Sequence, residues 1–264
     1  MNNLRNHLAG IAFLVLSVVF QAVVINGCGS SDSQDSESSV SYEFNVTDSP
    51  TTITSSDEPF MEEEAIFESI SGMVGHHSAS LTIFPDGEML ASWGSYSGEH
   101  ELSGTAIYLS RKMPGGSWEM PQVHSDRSSG EGNPVLYSEG DHVWLFQAVV
   151  PGGWDTSHIE FQESTDRGGA NWTNPVVLGS TLGPDVKYPP VRLNDGTLLL
   201  PAYDELTSAS LYYTSTDGTS WSKRSSVASN PGNTEPSFVQ LSTGRLISVM
   251  RNEGQGWLWV ALSW

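Results

Sequence analysis

The chain is poor in cysteine and in positive charge. One Cys, Cys28, stands among 264 residues, which excludes a disulfide framework, a cysteine-built zinc site and an iron–sulfur cluster. Lys and Arg number 11 against 31 Asp and Glu, a formal charge of −20 at pH 7. Such a polyanion cannot neutralise a row of phosphates, so nucleic acid is excluded as a partner. Charged residues make up only 16%, while 26 Gly, 14 Pro and 9 Trp are a large share. That is the profile of a turn-rich all-β protein and not of a helical bundle. His-Glu-x-x-His, Gly-x-Ser-x-Gly, P-loop and dinucleotide motifs are all missing. The His76-His77 pair has no third ligand within sequence reach. Neither a metal nor a cofactor is therefore expected.

What is present begins with an address. Arg5 precedes an apolar run from Leu8 to Ile25, which reads as a secretory signal and lies at the lower limit for a membrane span. Ile25-Asn26-Gly27-Cys28 resembles a bacterial lipobox. The resemblance implies cleavage before Cys28, diacylglycerol on its thiol, and a secreted lipoprotein held on a membrane facing the periplasm or the cell surface. The other reading is an uncleaved anchor with an inert Cys. Residues 29–64 are rich in Ser, Asp and Glu and hold no Lys or Arg. Such a stretch repels itself and buries little, so it is expected to be a disordered spacer. The folded part is then residues 65–264.

That part repeats. Ser110–Trp118 (SRKMPGGSW), Ser164–Trp172 (STDRGGANW) and Ser215–Trp221 (STDGTSW) each follow a short apolar strand, and Ser263-Trp264 ends the chain. The opening serines recur about every 50 residues, a period that signals a propeller or solenoid. Each period also holds a turn between two apolar alternating runs, at Asp86-Gly87, Gly140-Asp141, Asp195-Gly196 and Thr243-Gly244. Such a turn predicts a hairpin. Four strands per period, arranged radially, predict a β-propeller. Asp166 and Asp217 can accept N–H bonds within their own turns, and Trp172 and Trp221 can plug the space between sheets. The first copy has Lys112 where the others have Asp, so its glycines must hold the turn.

These loops resemble the Asp-box (BNR) repeats of the sialidase superfamily. His77-Ser-Ala-Ser-Leu81, Pro85-Asp86-Gly87, Asn133-Pro134-Val135-Leu136 and Lys187-Tyr-Pro-Pro190 follow the pattern of its sialidase-like branch. The resemblance implies an all-β, six-bladed, sialidase-like propeller, of which this chain reaches about four blades, and hence a C-terminal truncation. It also implies an exo-α-sialidase-type glycoside hydrolase. Glu235, followed after a hairpin by Arg251, matches the Glu that polarises the catalytic Tyr and an Arg of the carboxylate-binding triad. Glu101, with Glu99 beside it, falls where the acid/base Asp belongs. His77 stands where the first triad Arg is expected, and a neutral His is a poor carboxylate clamp. The third Arg and the Tyr nucleophile find no match in the sequence.

The candidate catalytic residues are therefore Glu101, Glu235, Arg251 and His77. Asn133, Lys187, Glu99 and Tyr203 are candidates for binding substrate, with Trp154, Tyr203 and Trp257 as platforms for a sugar ring. The expected partner is carbohydrate, sialic acid or another anionic glycan, with the membrane reached through the lipid on Cys28. Two other classes stay open: a glycan-binding propeller without catalysis, and a polysaccharide lyase using His77 as base and Arg251 against a uronate.

Overall fold

The structure is a computed structural model that describes residues 22–23 and 63–263, apart from 103, 180, 181 and 255. Nearly all of the expected signal, the Cys28 lipidation site and nearly all of the acidic spacer lie outside the described residues. Among the described residues no helix is long and apolar enough to cross a membrane.

Strands build four sheets. The first blade is the meander β2 (Gly75–Ile83), β3 (Met89–Tyr96), β4 (Thr105–Lys112) and β5 (Gln122–Asp126). The second is β6 (Gly130–Glu139), β7 (His142–Val150), β8 (His158–Ser164) and β9 (Val176–Leu178). In the third, β10 (Pro184–Val186) and β11 (Val191–Arg192) share one side of β12 (Leu198–Asp204), which continues to β13 (Ala209–Ser215) and β14 (Ser222–Val227). The fourth is β15 (Asn233–Gln240), β16 (Leu246–Asn252) and β17 (Leu258–Ser263), with β1 (Ala22–Val23) parallel to β17. This is a four-blade, sialidase-like propeller arrangement, as the repeat predicts.

The blades stack face to face, so their middle strands are buried on both sides. Leu90 and Leu109 of the first blade meet Leu136, Val143 and Leu145 of the second. Phe146, Ile159 and Phe161 of the second meet Leu200, Ala202 and Leu211 of the third. Each large side chain buried this way contributes about 1.5–3 kcal/mol. On the other face of the first blade, Ala91, Trp93 and Tyr108 are covered by Ile66, Phe67, Ile70 and Met73. Phe67 stacks on Trp93 at 5.0 Å.

The Ser…Trp loops join the third and fourth strands, far from the innermost ones. The Asp217 carboxylate accepts the N–H groups of Thr219 at 2.8 Å and Ser220 at 2.7 Å. Those bonds, Ser220's first, hold its pKa well below the usual carboxylate range. Asp166 accepts the Gly169 N–H at 3.0 Å and bonds the Ser164 hydroxyl, which lowers its pKa too. Trp172 and Trp221 pack into the seams between blades. In the first loop Gly115 takes φ 71° and the Gly116 N–H closes the turn on Met113. Lys112, in the place of the Asp, pairs with Glu64.

Candidate functional site

One irregularity recurs on the innermost strand of three blades. The ladder of β2 with β3 slips between His77 and Ser80, that of β6 with β7 between Gly132 and Val135, and that of β15 with β16 between Thr234 and Ser237. Each slip is a bulge, and its first residue is left-handed: Ser78 at φ 55°, Asn133 at 47° and Glu235 at 49°. For residues with a Cβ this backbone costs roughly 1–2 kcal/mol. Strain of this kind collects at functional sites. In the third blade the same place holds the break between β10 and β11, which starts at Lys187. The three bulges lie on the early parts of their strands, whereas the hairpin turns lie at the far ends.

The bulges gather polar side chains at that end of the hub. The Lys187 ammonium donates to Ser78 Oγ at 2.6 Å and to Asn133 Oδ1 at 3.0 Å. Ser78 Oγ in turn donates to Asn133 Oδ1 at 2.6 Å and lies 2.6 Å from His77 Nδ1. On its other side Asn133 donates from Nδ2 to Asp185 Oδ2 at 2.8 Å. Tyr203 OH donates to the same oxygen at 3.0 Å, and the Val186 N–H donates to Asp185 Oδ1 at 2.6 Å. Asp185 is wholly buried. Burial pushes its pKa up to about 7, in spite of the three donors.

His77 Nδ1 lies 3.4 Å from Glu101 Oε2, so the structure brings these two predicted residues together. Glu101 sits in the turn before β4, and its carbonyl accepts the Thr105 hydroxyl at 2.5 Å. Glu99 is exposed in the same connection. A small pocket opens beside them, lined by His77, Glu101, Glu131, Gly132, Asn133 and Trp154. Of its lining residues, Glu131 is fully buried. Glu131 accepts Ser125 Oγ at 2.5 Å and pairs with Arg127 at 3.0 Å. Burial raises the pKa of Glu131.

The second predicted pair also meets. Arg251 Nη1 lies 3.3 Å from Glu235 Oε1, and its Nε lies 3.8 Å from Glu253 Oε1. Thr234 Oγ1 fixes Glu253 at 2.5 Å. Glu205, at the end of β12, has its pKa raised by burial and then by the charge of Glu253, with Arg251 opposing. The third blade thus brings a further carboxyl beside the pair. Tyr203 corrects an expectation. It is 3% exposed, so its ring belongs to the core and offers no face to a sugar. Only its hydroxyl reaches the cluster. Trp257, by contrast, is exposed.

Ser78, Asp185, Glu131, Glu205 and Glu253 belong to this arrangement and were not legible as site residues. Only Asp185 carried a signal, a lone acid between Pro184 and Val186 in an otherwise apolar strand. Among the described residues no group of three or more His, Cys, Asp or Glu could hold a metal ion.

A family model described as "BNR repeat-like domain" matches residues 87–264, more than half of the chain. The chain belongs to this BNR repeat-like family. Solved structures share its fold. The Hadza microbial sialidase Hz136 superposes with a TM-score of 0.59 at 17% identity, over 71% of this chain and 44% of its own. The intramolecular trans-sialidase from Ruminococcus gnavus gives 0.61 at 13% identity, over 73% and 69%. The GH93 α-L-arabinofuranosidase of Fusarium graminearum gives 0.55 at 19% identity, over 75% and 66%. The chain therefore spans less than half of the length of the first of these. No curated protein matches it by sequence.

Proposed function

We propose that this BNR-repeat propeller processes glycans as a sialidase-like exo-glycoside hydrolase. The observation that carries the reading is the pairing of Glu235 with Arg251 on the hub strands of the fourth blade, together with that of His77 with Glu101 in the first. In this reading the terminal sugar lies across the mouth of the hub, above the small pocket beside Trp154, which holds about one water and not a sugar ring. In this reading the Glu101 carboxyl gives its proton to the departing glycosidic oxygen, the role of a general acid. His77, 3.4 Å away, is placed to share that proton. Glu235 takes the proton of a water that bonds to the anomeric carbon as the leaving oxygen departs, and Arg251 holds an anionic substituent of the sugar. Sialic acid is the first substrate to try. Held through Cys28, the protein would work on glycans at the cell surface.

One observation favours a second reading. His77 occupies the position where the family resemblance calls for an arginine, and a propeller lacking that clamp can bind glycans without cleaving them. Product analysis separates the classes. The protein is incubated with sialylated, uronate-containing and neutral oligosaccharides, and the products are read by mass spectrometry and ultraviolet absorbance. A released terminal sugar supports hydrolysis. Binding without turnover supports the second reading, and an ultraviolet-absorbing unsaturated uronate would make the protein a lyase.

A further inference from the structure

At the hub, one cation is held differently from those in the ion pairs. Arg111, Lys112, Arg127, Arg167, Arg192 and Arg251 each sit on a carboxylate. Lys187, at the hub, is held by two neutral oxygens, those of Ser78 and Asn133. An ammonium has three N–H donors and no acceptor. Two of these are spent on the bulges of the first and second blades. Both bulge residues adopt strained left-handed backbone to present their oxygens. Asn133 is 4% exposed and can turn its Oδ1 to Lys187 only because Nδ2 is fixed by the wholly buried Asp185. The brace therefore keeps a positive charge at the mouth of the hub and spares it an ion pair that would neutralise it. The third N–H donor of Lys187 remains for a ligand.

We infer that Lys187, positioned by the Asp185–Asn133 brace, selects glycans whose terminal sugar carries a carboxylate or sulfate. This rests on the glycan reading above and gives Lys187, a candidate for binding substrate from its sequence motif, a specific role in choosing that substrate. It also gives the site a cation of its own where His77 replaces an arginine. Asp185 is a positioning residue, since it reaches the ligand only through Asn133 and Lys187.

The test is calorimetric binding of the full chain to sialyllactose, a glucuronyl disaccharide, a sulfated galactoside and lactose. The three anionic sugars are expected to bind about tenfold or more tightly than lactose, the value of one charge-assisted hydrogen bond. Lys187→Met should reduce that preference several-fold, leaving the part that Arg251 supplies, and Lys187→Arg should keep it. Asp185→Asn should weaken the anionic sugars several-fold with lactose unchanged, a split that a purely structural role would not produce. Equal binding of all four sugars, or a Lys187→Met variant that melts earlier but keeps the preference, would overturn the inference while leaving the glycan reading intact. Failure of all four to bind would remove the glycan reading, and this inference with it. Differences among the three anionic sugars show whether carboxylate or sulfate is the preferred group.

Discussion

Asn133 donates from its amide nitrogen to the carboxylate of Asp185 at 2.8 Å, across the seam between the second and third blades. The acceptor is a buried acid whose pKa burial has pushed up to about 7 from 3.8. Because the folded value lies above the unfolded one, the stability tied to the protonated form is complete below about pH 4 and is lost as the pH rises through about 7. At 1.36 kcal/mol per unit this amounts to roughly 4 kcal/mol. Asp185→Asn removes the titration. Chemical denaturation of both proteins from pH 4 to pH 8 should show the wild type losing ground to the variant across that window, and a constant difference would contradict the shift.

Arg251 is 59% exposed on its side chain. A pair in that setting contributes about 0–1 kcal/mol to folding. Arg251→Ala should therefore melt within a few degrees of the wild type. If the guanidinium stabilises a developing charge, kcat/KM on the cleaved glycan should fall by about a hundredfold or more. Unchanged turnover would remove Arg251 from the site.

At Gly132 an added Cβ would come 2.9 Å from the end of the Trp154 ring. The backbone there is not left-handed, so an alanine meets a steric problem alone. Gly132→Ala should fold and push the indole aside. The expected reading is an altered tryptophan emission, absent when the same change is made on a Trp154→Phe background, together with weaker saccharide binding.

Gly218 combines both difficulties. Its φ is 79°, and a Cβ would lie 2.6 Å from the buried Trp144 ring. Left-handed backbone costs roughly 1–2 kcal/mol, and overpacking adds about 1–3 kcal/mol. Gly218→Ala should therefore destabilise the protein by about 2–5 kcal/mol in urea denaturation. A loss below about 1 kcal/mol would show that the seam between the second and third blades yields easily.

The four-sheet plan was legible because hairpin turns and Ser…Trp loops are local chemistry. Asp86-Gly87 and Asp217-Gly218 announce themselves within a few residues. The bulges were not legible. Proline normally steers the residue before it to extended backbone, so Asn133-Pro134 and Glu235-Pro236 gave no hint of positive φ. Stacking imposes it, since the bulged residue must turn its side chain toward the hub while its neighbours stay in the ladder. The same non-local cause hid Asp185 and misplaced Tyr203. A sequence shows an acid and an aromatic, and only the seam between blades decides which is buried and which is offered to solvent.

Because the same kink recurs on three of the four spokes, each of those three holds one socket at the rim of the axle, filled here by Ser78, Asn133 and Glu235. A residue can be exchanged in any socket without disturbing the pairing on either side of it, since the kink already stands outside the ladder. Chemistry can therefore drift one spoke at a time under a constant framework.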